Sequence, residues 1–309
     1  MLVLDRPEPD RLRELLARDE FFWLDLHGAT EEELADVGQL LELPGLALED
    51  SQEMHQRPKL DDYGRAVLLV FYGVDARCGL VEVHLHISGD FLLTVRDSTC
   101  SHLEAVKEEA ARRDDATEEG VVALVLDALT DSFTPALDAV EGDVEELEDA
   151  LLGRPTVAQR RALLDRRNDL GRLRQRAIAQ RELLEQGKDV IHRVPGLESE
   201  GEDELLRDVH DHLVVVGQRC ERLLAQLASA LELHLSLVGA RQNEVVERLT
   251  LVSTIFLPLS VLTGFFGMNF GWLVDHIDPL WAFLVYGLGG MTGAVCVLLL
   301  YLRHLRRAE

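Results

Sequence analysis

The sequence predicts an α+β (α/β) domain followed by long helices, with two helices crossing a membrane near its C-terminal end. Three observations carry that prediction. No charged residue occurs between Arg248 and Asp275, or again between Asp278 and Arg303. Short apolar and alternating segments bounded by turn residues fill the chain up to about Arg113. From Glu118 onward the apolar residues recur at three, four and seven, the period of a helix face.

In chain order, Arg11 to Arg18 has a helical pattern and Phe21 to Leu26 reads as a strand. Thr30 before Glu31, Glu32 and Glu33 predicts a capped helix running to Leu41. After the break at Leu43-Pro44-Gly45, strands are expected at Val67 to Tyr72, Leu80 to Ile87 and Phe91 to Arg96, in a mainly antiparallel sheet. His84 and His86 share one face of their strand, without an evident third ligand, and read as a solvent-facing strand rather than a zinc site. Val121 to Leu152 reads as one long amphipathic helix. Gly153-Arg154-Pro155-Thr156 breaks it, and Val157 to Glu185 returns as the second arm of a hairpin. The acidic end of the first arm faces an arginine-rich second arm, which predicts interhelical salt bridges.

From Glu202 the periodicity runs without a stop signal to Gly267, which predicts a single helix of about 65 residues, about 100 Å long. Such a rod needs neighbours along its length, as in a bundle of identical helices. The two charge-free runs each approach the 20 or so apolar residues that span a bilayer. Arg303, His304, Arg306 and Arg307 place the tail on the cytoplasmic side, while the turn holding Asp275 and Asp278 has no Lys or Arg and faces outward. Trp272 and Trp281 are placed as interfacial anchors. The expected parts are a cytoplasmic domain (1–115), a helical hairpin (116–200), a stalk (201–248), a first membrane helix (249–268), an external loop (269–278), a second membrane helix (279–302) and a basic tail (303–309).

The formal net charge of −25 repels nucleic acid and attracts cations. Four cysteines without CxxC spacing imply neither a zinc site nor a disulfide framework, and the first ten residues do not read as a signal peptide. No nucleophile–base pair or phosphate loop argues for an enzyme.

One stripe of the membrane-proximal helix mixes apolar and small polar residues: Asn243, Val246, Leu249, Thr250, Ser253, Leu257, Ser260 and Gly264. Facing a symmetry axis, it would give alternating hydrophobic constrictions and polar rings, the materials of a gated pore. The same residue types also serve helix–helix packing, and the stripe alone does not separate the two. It ends at Gly267-Met268-Asn269, followed by Phe270.

These residues carry a resemblance. Asn243-Glu244-Val245, Leu249-Thr250, Thr254-Ile255-Phe256, Pro258-Leu259, Gly264 and Gly267-Met268-Asn269-Phe270 resemble the CorA magnesium transporter family. Upstream, Leu48-Glu49-Asp50, His55-Gln56-Arg57-Pro58-Lys59, Asp127-Ala128-Leu129, Arg207-Asp208-Val209 and Asp211-His212 extend it over nearly the whole chain. The resemblance implies a funnel-shaped homopentamer in the cell membrane, passing Mg2+, with Co2+ or Ni2+ as further candidate ions, through a pore lined by the first membrane helices. It implies that Asn269 meets the hydrated ion, that Asn243 forms an inner polar ring, and that Leu249 and Leu257 form constrictions. It also implies that intracellular Mg2+ closes the pore by bridging protomers at Asp50 and Asp208, with Glu49 and Asp127 as a second site. Two features depart from the family pattern: the turn Gly271-Trp272-Leu273-Val274-Asp275 replaces an acidic segment, and Glu247 stands where a basic residue is common. A zinc transporter on the same scaffold and a membrane-anchored metal sensor are the other readings.

Overall fold

The computed structural model describes residues 1–112, 118–153, 155–191, 193, 202–268, 271 and 280–305. It divides into two units, Met1–Leu231 and Glu232–Glu309.

In the first unit six strands form one sheet in the order β1-β2-β6-β5-β4-β3. They are β1 (Leu2–Leu4), β2 (Phe22–His27), β3 (Lys59–Asp62), β4 (Val67–Val74), β5 (Leu80–Ile87) and β6 (Phe91–Arg96). β1, β2 and β6 are parallel, whereas β6, β5, β4 and β3 are antiparallel. The sheet is therefore mixed, not simply antiparallel. β2 reaches its parallel neighbour β6 only in space, since the chain between them builds two helices (Glu31–Leu40 and Gly45–Gln52) and three strands.

Side chains alternate across the sheet with the period of two that a strand imposes. Phe22, Leu24, Leu26, Phe91, Leu93 and Val95 pack with α1 (Pro9–Ala17) and α2 (Glu31–Leu40) on one face. Trp23, Leu69, Phe71, Val83 and Leu85 point to the other, into a core shared with the long helices. These are α4 (Ser101–Arg112), α5 (Glu118–Asp131), α6 (Phe133–Leu152), α7 (Val157–Ile191) and the first part of α8 (Glu202–Phe266). The predicted start of α2 is a full capping box: Thr30 Oγ1 accepts from the Glu33 amide and Glu33 accepts from the Thr30 amide.

The single long helix expected over Val121 to Leu152 is two helices, with a break at Ser132. Pro135 accounts for it: its ring would clash with the Asp131 carbonyl and it has no N–H to donate there. Within the first turn of α6 that missing donor costs nothing. The break is also used. β3 is short, so among the described residues the outer edge of β4 beyond Val70 has no strand partner. The Tyr72 amide donates to Gln180 Oε1 of α7 at 2.6 Å, and the Val74 amide donates to Ser132 Oγ at 2.7 Å, which closes the edge. A Cβ at Gly73 would stand 2.9 Å from Leu129 Cδ2, so a glycine lets this junction lie against the strand.

His84 and His86 do not face solvent: both are buried. Helix α3 (Gly45–Gln52) and the segment after it cover that face of β5. Ser51 Oγ lies 2.7 Å from His86 Nε2, and Glu82 lies 2.9 Å from His84 Nε2 while accepting from the His55 and Gln56 amides. Burial, then the neighbouring His84, pushes the His86 imidazole down to about 3. The salt bridges expected between the hairpin arms form in part. Arg166 of α7 meets Asp143 of α6 at 2.7 Å, but Glu141 of α6 is taken by Arg219 and Arg222 of α8.

Beside β2 and β6, Asp25 is buried against Arg96 at 2.8 Å and Lys107 at 2.7 Å, and Thr94 donates to it. Breaking a buried ion pair from one side strands the remaining charge, so Asp25→Ala is expected to cost about 3–5 kcal/mol. Denaturant unfolding followed by circular dichroism checks this. A loss under about 1 kcal/mol, the size of an exposed pair, would mean that water reaches the site.

In the second unit α8 continues to Phe266. A three-residue helical turn, α9 (Leu280–Ala282), a π-helical turn (Phe283–Leu288) and α10 (Gly289–Leu305) follow.

Candidate functional site

Among the described residues, three helical stretches are long and apolar enough to cross a membrane. The stretch Glu119–Leu152 is interrupted at Ser132, and its apolar window is 67% buried against the sheet, so it is core. The windows within Leu206–Phe265 and Leu280–Leu298 are 0% and 12% buried. Val246, Leu249, Val252, Phe256, Leu257, Val261 and Phe265 are exposed in the isolated chain. An apolar surface of this extent requires lipid or protein to cover it.

All eight stripe residues, Asn243, Val246, Leu249, Thr250, Ser253, Leu257, Ser260 and Gly264, are exposed. The half-covered positions are Leu251, Thr254, Ile255, Pro258, Leu259 and Leu262. At about 100° per residue those fall on roughly the opposite side of α8. The helix thus has one sheltered side and one open side, and the stripe lies on the open one.

Two of the three stripe hydroxyls, those of Thr250 and Ser260, have a defined orientation. Thr250 Oγ1 donates to the Val246 carbonyl at 2.8 Å and Ser260 Oγ donates to the Phe256 carbonyl at 2.8 Å. Each proton is spent inside the helix, which leaves oxygen lone pairs as the group on offer. Such acceptors suit the water protons of a hydrated cation. Pro258 cannot donate to the Thr254 carbonyl, which frees an acceptor on the sheltered side of α8.

At the helix end the Gly267 amide donates to Thr263 O at 2.9 Å and the Met268 amide to Phe265 O at 3.3 Å. A Cβ at Gly267 would lie 3.1 Å from the Thr263 carbonyl oxygen, so a side chain there would push against the last turn. Asn269, Trp272, Asp275 and Asp278 lie outside the described residues, as does the tail from Arg306. Trp281 is exposed.

A second cluster belongs to the first unit. Asp127 and Asp131 stand one turn apart on α5, and Asp208 and His212 one turn apart on α8. His212 Nδ1 lies 3.3 Å from Asp127 Oδ1 and 3.5 Å from Asp131 Oδ1, and its Nε2 lies 3.7 Å from Asp208 Oδ1. One ligand atom each of Asp127, Asp208 and His212 fall within 4.8 Å of one another. The approach of His212 Nδ1 to Asp127 Oδ1 lacks hydrogen-bond geometry, and both atoms are buried without a hydrogen-bond partner among the described residues. Burial, then the Asp131 charge, raises the Asp127 carboxyl above its usual range, with His212 partly offsetting them. This is a site where a divalent cation would relieve crowding: two carboxylates for a hard ion, with an imidazole that also suits softer ones.

Asp50 and Glu49, on α3, are not part of this group. Asp50 Oδ2 lies 2.7 Å from Lys59 Nζ and accepts from Tyr63 Oη at 3.0 Å. Burial pushes the Asp50 carboxyl up, but Lys59 and Tyr63 outweigh it and hold the group below its usual range. Glu49 is exposed. Within one chain, then, Asp208 meets Asp127 and not Asp50. Sequence reasoning named Asp127 and Asp208 for different sites and gave His212 no ligand role. The signal that joins them is spacing: Asp127 with Asp131, and Asp208 with His212, each put two ligands on one helix face.

The fold and the two uncovered apolar helices define a membrane protein with an α/β domain and long helices ahead of its membrane segments. The chain belongs to the family described as CorA-like Mg2+ transporter protein, whose model matches residues 18–304. It is 26% identical over 288 residues to the putative metal ion transporter YfjQ of Bacillus subtilis, covering 92% of this chain and 89% of that protein. It is 26% identical over 265 residues to the cobalt/magnesium transport protein CorA of Thermotoga maritima, covering 82% and 74%. A zinc transport protein, ZntB of Pectobacterium atrosepticum, is 22% identical over 228 residues, covering 70% and 66%. The fold matches the CorA magnesium transporter structure from Methanocaldococcus jannaschii with a TM-score of 0.80 at 19% identity, over 93% of this chain and 90% of that one. Proteins of this family are divalent-cation transporters of the membrane, not enzymes.

Proposed function

We propose that this protein is a magnesium channel of the cell membrane, passing hydrated Mg2+, and Co2+ or Ni2+ less readily, through a homopentameric funnel whose pore is lined by α8. The observation that supports this most is the open side of α8, where acceptor hydroxyls alternate with Val246, Leu249 and Leu257 and lead to Gly267-Met268-Asn269. Mg2+ dehydrates reluctantly, so a pore that takes it with its waters needs oxygen acceptors and amides rather than a tight charged cage. One helix hairpin cannot enclose a path, and five copies of the exposed stripe would cover one another. Both termini are on the cytoplasmic side in this reading.

Internal Mg2+ closes the channel in this proposal. Two arrangements supply the sensor. Asp127, Asp208 and His212 converge within the chain. Asp50 with Asp208, and Glu49 with Asp127, are the pairings across protomers. Asp208 and the pore stripe belong to one helix, so an ion held at Asp208 acts on the element that lines the pore.

A zinc transporter is the second reading. His212 favours it, because imidazole is a ligand for softer ions than Mg2+. Growth of a bacterial strain lacking its own magnesium uptake tests the two. Expression of this chain should restore growth at low magnesium, and native mass spectrometry should give five copies. Restored zinc tolerance or zinc uptake without magnesium rescue would transfer the proposal to zinc.

A further inference from the structure

In the first unit a cavity of 460 Å³ lies between the β4–β5 hairpin, the turn after β6 and helix α7. Its lining includes Arg77, Arg172, Arg176, Glu82, Asp97 and Asp169. The formal charges balance, but their hydrogen-bonding capacity does not. Asp169 is held by Arg172 at 2.6 Å and Arg166 at 3.2 Å. Glu82 accepts from the Gln56 amide at 2.9 Å and from the His55 amide, and also contacts His84. Two of the three carboxylates are thus committed within the protein. Two of the three guanidiniums are not. Arg77 has no carboxylate partner among the described residues, and Arg176 lies over the Tyr72 ring, 4.4 Å from its centroid. Stacking uses the face of a guanidinium and leaves its N–H edge free.

The chain carries a net charge of −25, yet two guanidiniums of one polar cavity stand without a carboxylate partner among the described residues. At physiological ionic strength that overall charge is screened beyond about 8 Å, so the local arginines decide what the cavity attracts. Planar guanidinium forks recognise phosphate oxygens two at a time. Arg176 already covers a face of the Tyr72 ring, so the guanidinium edge, and not that face, is what this side of the cavity presents. We propose that this cavity binds a compact phosphate-bearing anion, a diphosphate or the polyphosphate end of a nucleotide, through Arg77 and Arg176, with His55 and Ser98 at hand as further lining. Such a ligand would join α7 to the sheet end of β4 and β5.

The test is calorimetric titration of the full-length, detergent-solubilised protein with inorganic pyrophosphate at low salt in EDTA. EDTA keeps metal sites empty, and the readout is binding, so the result is independent of whether the protein conducts magnesium. The wild type should bind. Arg77→Gln and Arg176→Gln should each weaken binding by about tenfold or more, as loss of charge-assisted hydrogen bonds implies. Arg77 is exposed, so its variant should melt like the wild type. Asp97 accepts only from the Ser98 hydroxyl, at 2.9 Å, and has no arginine partner among the described residues; Asp97→Asn removes its charge from the cavity and should tighten binding. Arg112→Gln, an exposed change outside the cavity, should have no effect. ATP binding as tightly as pyrophosphate would extend the site to nucleotides, whereas pyrophosphate binding alone would restrict it to free diphosphate. No binding by the wild type, unchanged binding in both arginine variants, weaker binding in Asp97→Asn, or an equal loss in Arg112→Gln would each overturn the proposal.

Discussion

Asn269→Ala is expected to remove nearly all magnesium flux while leaving the oligomer intact. Asn269 ends the Gly267-Met268-Asn269 motif at the close of the first apolar run, ahead of the acidic turn. In the proposed pentamer five such side chains meet one hydrated ion. A hydrogen bond contributes about 0.5–1.5 kcal/mol net, so five together amount to several kcal/mol. At 1.4 kcal/mol per factor of ten, flux should fall by about a hundredfold or more. Asn269→Gln keeps the amide but lengthens its stem, and should retain a part of the flux. Flux assays on mutants shown to be pentameric by native mass spectrometry make the comparison. Wild-type flux through a pentameric Asn269→Ala protein would remove this residue from the ion path.

The second large effect is expected at the acidic cluster. Asp127→Asn/Asp208→Asn should abolish stabilisation by magnesium and leave the channel conducting at millimolar internal magnesium. Three carboxylates, Asp127, Asp131 and Asp208, surround His212. The raised Asp127 carboxyl fixes the sign of the pH dependence. A folded-state value above the unfolded one means the folded chain binds the proton more tightly. Without metal, stability therefore falls as pH rises from the ordinary carboxyl value of 3.8 through the raised one, and the full penalty is present above it. A divalent cation offsets that penalty where Asp127 is ionised and competes with the proton below. Its benefit should fade on acidification through that range. An ion at a hundred times its dissociation constant stabilises by about 2.7 kcal/mol, which corresponds to a rise in melting temperature of roughly 5–10 °C. In the double variant this rise should vanish, and the metal-free protein should melt higher than wild type. An unchanged magnesium response in the double variant would shift the sensor to Asp50 or Glu49.

Much of the fold was legible because local signals and tertiary packing agree. Thr30 and Glu33 cap α2 wherever it packs, and the strict alternation of β5 gives its limits, Leu80 and Ile87. Where they disagree, the sequence pattern misleads. His84 and His86 look like the wet face of a strand, but α3 covers that face and Ser51 and Glu82 supply the partners. Alternation reports two faces; it does not report what lies on the second. Helical periodicity continues through Ser132 because α5 and α6 both pack on the same core, so the break shows only in Pro135. β1 has three residues and is a strand only because β2 pairs with it. At the candidate sites, the pore stripe and the motif at its end could be read from spacing on one helix. The meeting of Asp127 with Asp208 and His212 required the packing of α5 against α8, separated by 70 or more residues of intervening chain. Asp50 likewise looked free until the fold brought Lys59 and Tyr63 to it.

The most direct measurement is uptake of magnesium by liposomes containing the purified full-length protein and a magnesium-sensitive dye. The account predicts uptake driven by the magnesium gradient and by a negative interior, slowed when millimolar magnesium is present on the cytoplasmic side, and absent in Asn269→Ala. Liposomes that hold pentameric protein yet admit no magnesium, while admitting zinc or no divalent ion at all, would contradict it.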